Sequence, residues 1–189
     1  MQTIQKILLM VAVSMMTTAT VNAQNIPVGM RIEVAEVEQN NNEYSIFTYK
    51  DDDESFGYYL GLGHVFHISE LFLDNPTDMA FDHIDETCIW LGATADEAFA
   101  TLDSILVLFD KEVDTKVEFR GRASTGSGRL GKPNATTCVV TKKMLGGKRL
   151  LFLFVSGKNQ AETYLSKLAV KQLRMSFKVD RKLHPKQHR

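Results

Sequence analysis

Three histidines in the middle of the chain are the side chains best suited to catalysis or metal binding. His64 and His67 are three residues apart, and Glu70 follows after three more. On a helix they would share one face and could bind zinc together with a fourth ligand. The neighbouring Tyr, Phe and Gly residues favour a strand, in which positions three apart face opposite sides of the sheet.

His83 stands in an acidic segment of a kind that can support acid–base catalysis or calcium binding. The surrounding carboxylates are Asp78, Asp82, Asp85 and Glu86. Their spacing does not match a known calcium-binding loop, so a solvated acidic surface is the simpler interpretation. A small secreted hydrolase or metal-dependent enzyme that uses His64, His67 or His83 with nearby carboxylates is the alternative function.

A glycine-rich segment from Gly126 to Lys132 has the spacing of a phosphate-binding loop. Such loops bind phosphate through backbone N–H groups at the start of a helix. Here Pro133 stands where magnesium binding needs Ser or Thr, and a strand is predicted to follow. We therefore predict no nucleotide and no other cofactor, but Arg122, Arg129 and Lys132 make the loop a candidate anion contact.

The strongest surface signal is a row of basic residues near the end of the chain. Lys167, Lys171, Arg174 and Lys178 are spaced i, i+4, i+7 and i+11, which places them on one face of a helix. The apolar face predicted beside them consists of Ala161, Tyr164, Leu165, Leu168 and Ala169. The row is a candidate site for phosphates, acidic glycans, an anionic envelope surface or a protein partner, with an ordinary solvated helix face as the alternative.

Charge is strongly segregated along the chain. Residues 24–118 hold 21 acidic and 4 basic residues, whereas residues 119–189 hold 2 acidic and 17 basic residues. This distribution indicates either a dipolar surface or pairing between the two halves inside the fold. Acidic and basic strands lying side by side in one sheet would be one form of such pairing.

The N-terminus has the layout of a secretory signal peptide. Lys6 precedes the apolar run 7–13, and a small, polar stretch leads to Ala23. We expect cleavage after Ala23, which makes the mature chain secreted or periplasmic. The apolar run is too short to span a bilayer, and no later segment is long enough. In this compartment no nucleic acid is predicted as a partner.

Hydrophobic periodicity predicts a single α+β domain over residues 24–178 and a basic, disordered tail at 179–189. Helices are predicted at 94–112, where Thr94 and Glu97 form a capping box, and at 159–174. Strands are predicted at 28–38, 43–49, 56–62, 64–73, 87–91, 115–123, 137–144 and 148–156. This order gives an antiparallel β-sheet of roughly six to eight strands with two amphipathic helices packed on one face.

A short similarity links residues 92–99 with residues 157–164, each after an apolar strand. It indicates a pseudo-twofold internal repeat, or only the common need for a glycine and a cap at a strand-to-helix corner.

The buried residues are predicted from the apolar faces of these elements. The expected core includes Trp90, Phe99, Leu102, Leu106, Phe109, Phe152, Phe154, Tyr164 and Leu168. Cys88 and Cys138 form either a disulfide or two buried thiols, and we favour the thiols. Together these features predict a non-catalytic secreted or periplasmic binding protein for an anionic or protein partner.

Overall fold

The structure is a computed structural model that describes residues 26–39, 42–53, 55–63, 86–124, 128–143, 146–156, 159–185 and 187–188. The predicted signal peptide at 1–23, the predicted strand at 64–73 and the three histidines His64, His67 and His83 lie outside the described residues.

Within the described residues, one antiparallel sheet of eight strands forms the framework, and its strands follow one another in chain order. They are β1 (Arg31–Gln39), β2 (Asn42–Lys50), β3 (Phe56–Gly63), β4 (Glu86–Gly92), β5 (Lys116–Ser124), β6 (Asn134–Lys142), β7 (Lys148–Ser156) and β8 (Asn159–Ser166). Helix α1 (Ala95–Leu108) follows β4, and helix α2 (Lys167–Leu183) follows β8. The predicted α+β class with an antiparallel sheet and two helices is confirmed.

Helix α1 begins where its sequence predicts. The Thr94 hydroxyl accepts a hydrogen bond from the Glu97 backbone N–H, and the Glu97 carboxylate accepts from the backbone N–H of Thr94. This reciprocal capping satisfies two N–H groups that the first turn otherwise leaves without partners. Asp96 and Glu97 also place negative charge at the positive end of the helix dipole.

The predicted hairpin around Gly146 and Gly147 is also confirmed. The two glycines have φ angles of 88° and 80°, which residues with a Cβ adopt only with strain. Strands β6 and β7 pair on either side, from Lys142 opposite Lys148 to Thr136 opposite Phe154.

The helix predicted at 159–174 is wrong in its first half. Residues 159–166 form β8, which pairs with β7 along its length from Asn159 opposite Ser156 to Ser166 opposite Arg149. Helix α2 begins only after Ser166, whose hydroxyl accepts a hydrogen bond from the Ala169 backbone N–H. Asn159 and Glu162, which have the spacing of a capping box in the sequence, therefore lie within a strand and not at the start of a helix.

Helix α2 is longer at its other end than the sequence predicts. It runs to Leu183, into the segment predicted as a disordered tail, and the side chain of His188 packs against Tyr58 and Phe177.

Both helices contribute buried residues to the main core cluster, together with inward-facing residues of the sheet. The members from the helices are Ala95, Ala98, Leu102, Ile105 and Leu108 of α1 and Ala169, Val170, Leu173 and Phe177 of α2. The sheet curls so that β2 and β8 approach at one corner, where the Tyr44 hydroxyl donates a 2.6 Å hydrogen bond to the Tyr164 carbonyl.

The predicted core is partly correct. Four of its residues are buried, namely Leu102, Phe109, Phe152 and Phe154. Trp90, Phe99 and Leu106 are half-buried. Tyr164 and Leu168 are exposed, Tyr164 on the outward face of β8 and Leu168 in the first turn of α2.

The two cysteines are free and buried, as favoured from the sequence. Burial raises the pKa of the Cys138 thiol to about 12. Burial, followed by the charge of Glu86, raises the pKa of Cys88 well above its usual range. Neither thiol has the exposure or the lowered pKa of a reactive cysteine.

Candidate anion-binding surface

Helices α1 and α2 are antiparallel and are joined by three ion pairs. Asp96, Asp103 and Asp110 recur every seven residues on one side of α1 and just beyond its end. They pair in reverse order with Arg181, Arg174 and Lys167, at distances of 2.5, 2.6 and 2.8 Å. We call these six residues the interhelical ladder.

The ladder changes the meaning of the predicted basic row. Lys167 and Arg174 are engaged within the chain, because their partners come from the neighbouring helix. The hydrogen bond from Lys167 lowers the pKa of Asp110, and the hydrogen bond to Asp103 raises the pKa of Arg174. These two of the four predicted residues therefore join α2 to α1.

The other two predicted residues, Lys171 and Lys178, are exposed. Lys182 lies one turn beyond Lys178 and is exposed as well. Successive residues of an α-helix turn by about 100°, so these three lysines share a face one step further from α1 than the ladder. We call them the lysine row. The ammonium groups of the lysine row form no hydrogen bond to any described residue.

A second apolar stripe lies on the solvent side of α2, beyond the lysine row. Leu168, Met175, Val179 and Leu183 have relative exposures of 54%, 64%, 52% and 66%. Their spacing of seven, four and four residues places them on one face. We call them the outer stripe. Sequence reasoning missed it, because it assigned Leu168 to the core and ended the helix at 174.

The residues predicted around the glycine-rich loop are not equivalent. Arg122 is buried and is held by Asp51 at 2.6 Å, by the Gly131 carbonyl at 2.6 Å and by the Tyr59 hydroxyl at 3.4 Å. Burial alone would lower the pKa of Arg122, but these partners raise it. The guanidinium therefore anchors the loop to β3 and to the turn after β2. Arg129 lies beside Gly29, and Lys132 is exposed.

A second charged cluster lies on the face of the sheet around Phe47. Arg31 pairs with Glu86 and Glu33, and it donates a 2.6 Å hydrogen bond to the Ser45 hydroxyl. Its guanidinium also lies 3.8 Å above the centre of the Phe47 ring. Since these contacts satisfy the arginine within the chain, the cluster fastens β1 to β2 and β4 and offers no open anion site.

Near the end of the chain, the described residue His188 lies between Asp180 and Tyr58 in a row of hydrogen-bonding groups. The Asp180 carboxylate can only accept, so His188 donates to it from Nε2 at 2.8 Å. Its Nδ1 lies 2.9 Å from the Tyr58 hydroxyl. Burial raises the pKa of Tyr58 to about 12. The His188 side chain is almost completely covered, which suits a structural contact better than catalysis on a substrate.

Within the described residues, no group of His, Cys, Asp and Glu side chains is arranged to hold a metal ion. In the same part of the chain, no helix has the length and apolar content needed to cross a membrane.

Comparisons with known proteins give no further guide to function. No family model, no curated protein and no solved structure matches the chain.

Proposed function

We propose that the chain is a secreted or periplasmic, non-catalytic protein that binds an anionic partner through the lysine row of α2. The observation that carries this proposal is the division of the basic side of α2 into two sets. The ladder holds Lys167 and Arg174 against α1, whereas Lys171, Lys178 and Lys182 project into solvent. Exposed cations on a rigid helix attract anionic partners at long range.

The charge balance around the lysine row supports the same function. Asp180 is the only acidic residue of α2, and its carboxylate accepts a hydrogen bond from His188. Asp110, at the far end, is already paired with Lys167. An anion approaching the row therefore meets three ammonium groups with little opposing charge from α2 itself.

A matched pair of double variants tests this proposal. K171Q/K178Q removes two charges from the lysine row, and K167Q/R174Q removes two charges from the ladder of the same helix. Protein purified after export is applied to a dextran sulfate column and eluted with a salt gradient. We expect the first variant to elute at clearly lower salt, since exposed contacts are screened.

The control variant should elute close to the wild-type protein and lose some stability. Equal elution of K171Q/K178Q and wild type, or failure of the wild type to be retained at low salt, would exclude the lysine row as the binding site. Mass measurement of the exported N-terminus would test the predicted cleavage after Ala23 in the same preparation.

We also propose that both helices cover one face of the sheet and that the chain contains two related units. Among the described residues, each unit would be four strands followed by a helix, β1–β4 with α1 and β5–β8 with α2. The shared core cluster and the ladder support the common face. The hydroxyl caps at Thr94 and Ser166 support the repeat.

A further inference from the structure

The outer stripe is the feature of α2 that the proposed function leaves unexplained. A helix that packs on a core needs one apolar face, and α2 already buries Ala169, Val170, Leu173 and Phe177. Leu168, Met175, Val179 and Leu183 form a second apolar face on the opposite side. Single exposed apolar residues are common, but four on one face of one helix mark an interaction surface.

The position of the lysines decides what kind of surface this is. The lysine row runs along one edge of the outer stripe for most of the length of α2. At about 1.5 Å per residue, the 17 residues of α2 span roughly 25 Å. An apolar stripe of this length bordered by lysines is the layout of a helix that lies in the plane of a membrane surface.

We infer that α2 binds the surface of an anionic phospholipid bilayer. The outer stripe enters the boundary between headgroups and acyl chains, and the lysine row contacts lipid phosphates. This inference rests on the proposed function, because it names the anionic partner. A soluble polyanion would use the lysines but would leave the four apolar side chains in water, whereas a bilayer accommodates both groups.

The neighbouring elements allow this orientation. The face of α2 opposite the outer stripe packs into the core, and the ladder joins its flank to α1. The outer stripe is therefore presented by a rigid domain, and binding requires no unfolding of α2.

Vesicle flotation tests the inference with protein purified after export and with its N-terminus confirmed by mass. One set of vesicles contains phosphatidylcholine alone, and the other contains equal parts of phosphatidylcholine and phosphatidylglycerol. We expect binding to the anionic vesicles only. Each lysine near a charged surface contributes about fivefold to affinity, so K171Q/K178Q should bind roughly 25-fold more weakly.

A second pair of variants separates the outer stripe from the charges. M175Q/V179Q changes two residues of the outer stripe, and V113Q/V155Q changes two exposed valines outside α2 as a matched control. We expect the first variant to lose vesicle binding and to keep its retention on dextran sulfate. The control should keep both. Urea denaturation of both variants checks that they are folded.

The outcomes distinguish the inference from the proposed function. Retention on dextran sulfate without vesicle binding by the wild type would overturn the membrane inference alone. Vesicle binding that M175Q/V179Q leaves unchanged would overturn it as well. A third result would show that the outer stripe joins two copies of the chain and would also overturn the membrane inference. In that case the wild type is a dimer in lipid-free solution, M175Q/V179Q is a monomer, and the two proteins bind vesicles equally. Absence of both kinds of binding would overturn both proposals.

Discussion

The pair between Arg174 and Asp103 gives the sharpest test of the structure, because its geometry sets an expected energy. Arg174 Nε lies 2.6 Å from Asp103 Oδ1, and Arg174 Nη2 lies 3.0 Å from Asp103 Oδ2. The two side chains are 37% and 51% exposed. Exposed pairs contribute about 0.2–1 kcal/mol, and bidentate geometry places this one near the upper end.

We therefore predict a coupling energy of about 0.5–1 kcal/mol between R174Q and D103N in a double-mutant cycle. The free energy of unfolding is measured by urea denaturation of the wild type, both single variants and the double variant. The coupling should shrink at high salt, since the pair is open to solvent. The denaturant dependence should be the same in all four proteins.

Two results would refute this reasoning. A coupling energy indistinguishable from zero at low salt would mean that the ladder does not join the helices in solution. A reduction of dextran sulfate retention by R174Q as large as that by K171Q would mean that Arg174 is available to partners, and the division of the basic side of α2 would be wrong.

Two further predictions concern the core. F177A should lower the free energy of unfolding by about 3–5 kcal/mol in urea denaturation, because Phe177 is fully buried and stacks on Phe99 at 4.4 Å. The matched change M175A, on the exposed side of the same helix, should change it by less than about 0.5 kcal/mol. Between about pH 9 and pH 12 the unfolded chain loses the Cys138 proton while the folded chain keeps it, so stability should fall as pH rises through this window. The loss of unfolding free energy from this thiol is about 4 kcal/mol at most. The unfolding free energy of C138A, measured by urea denaturation, should therefore fall less steeply with alkaline pH than that of the wild type. The dependence that remains in C138A includes the contribution of Tyr58.

The elements that the sequence predicts well are those with local signals. Helix α1 has a cap, a charged first turn and a long apolar period, and all of these act within the segment itself. The hairpin between β6 and β7 depends on two adjacent glycines at its turn. In both cases the information lies within a few residues of the structure that it determines, so no knowledge of the fold is needed.

Strand β8 shows why the remaining prediction failed. Residues 159–166 have a helix-like capping pair, but they also alternate, with Ala161, Thr163 and Leu165 buried and Glu162 and Tyr164 exposed. Over eight residues neither period is decisive. The strand forms because β7 offers a complete edge of backbone N–H and C=O groups, which a helix at this position would leave without partners. That edge becomes visible only once the sheet is known.

The candidate site depends on the same boundary. Helix α2 begins at Lys167 and continues to Leu183, so Leu168 of the predicted core and Val179 and Leu183 of the predicted tail lie with Met175 on one exposed face. The sequence contains the pattern of the ladder, since aspartates recur every seven residues in and just after α1 and basic residues do so in α2. Predicting the ion pairs also required knowing that the two helices are antiparallel neighbours.

The ladder also accounts for part of the charge segregation along the chain. Its three pairs, together with the pair between Asp51 and Arg122, each join an acid of the first half to a base of the second half. Pairing of acidic and basic strands was the expected form, but three of these four pairs join helices instead. On α2, this internal pairing engages Lys167, Arg174 and Arg181, and the lysine row remains exposed beside the outer stripe. We therefore expect the affinity for an anionic partner to depend on where these lysines lie on α2 more than on the net charge of the C-terminal half.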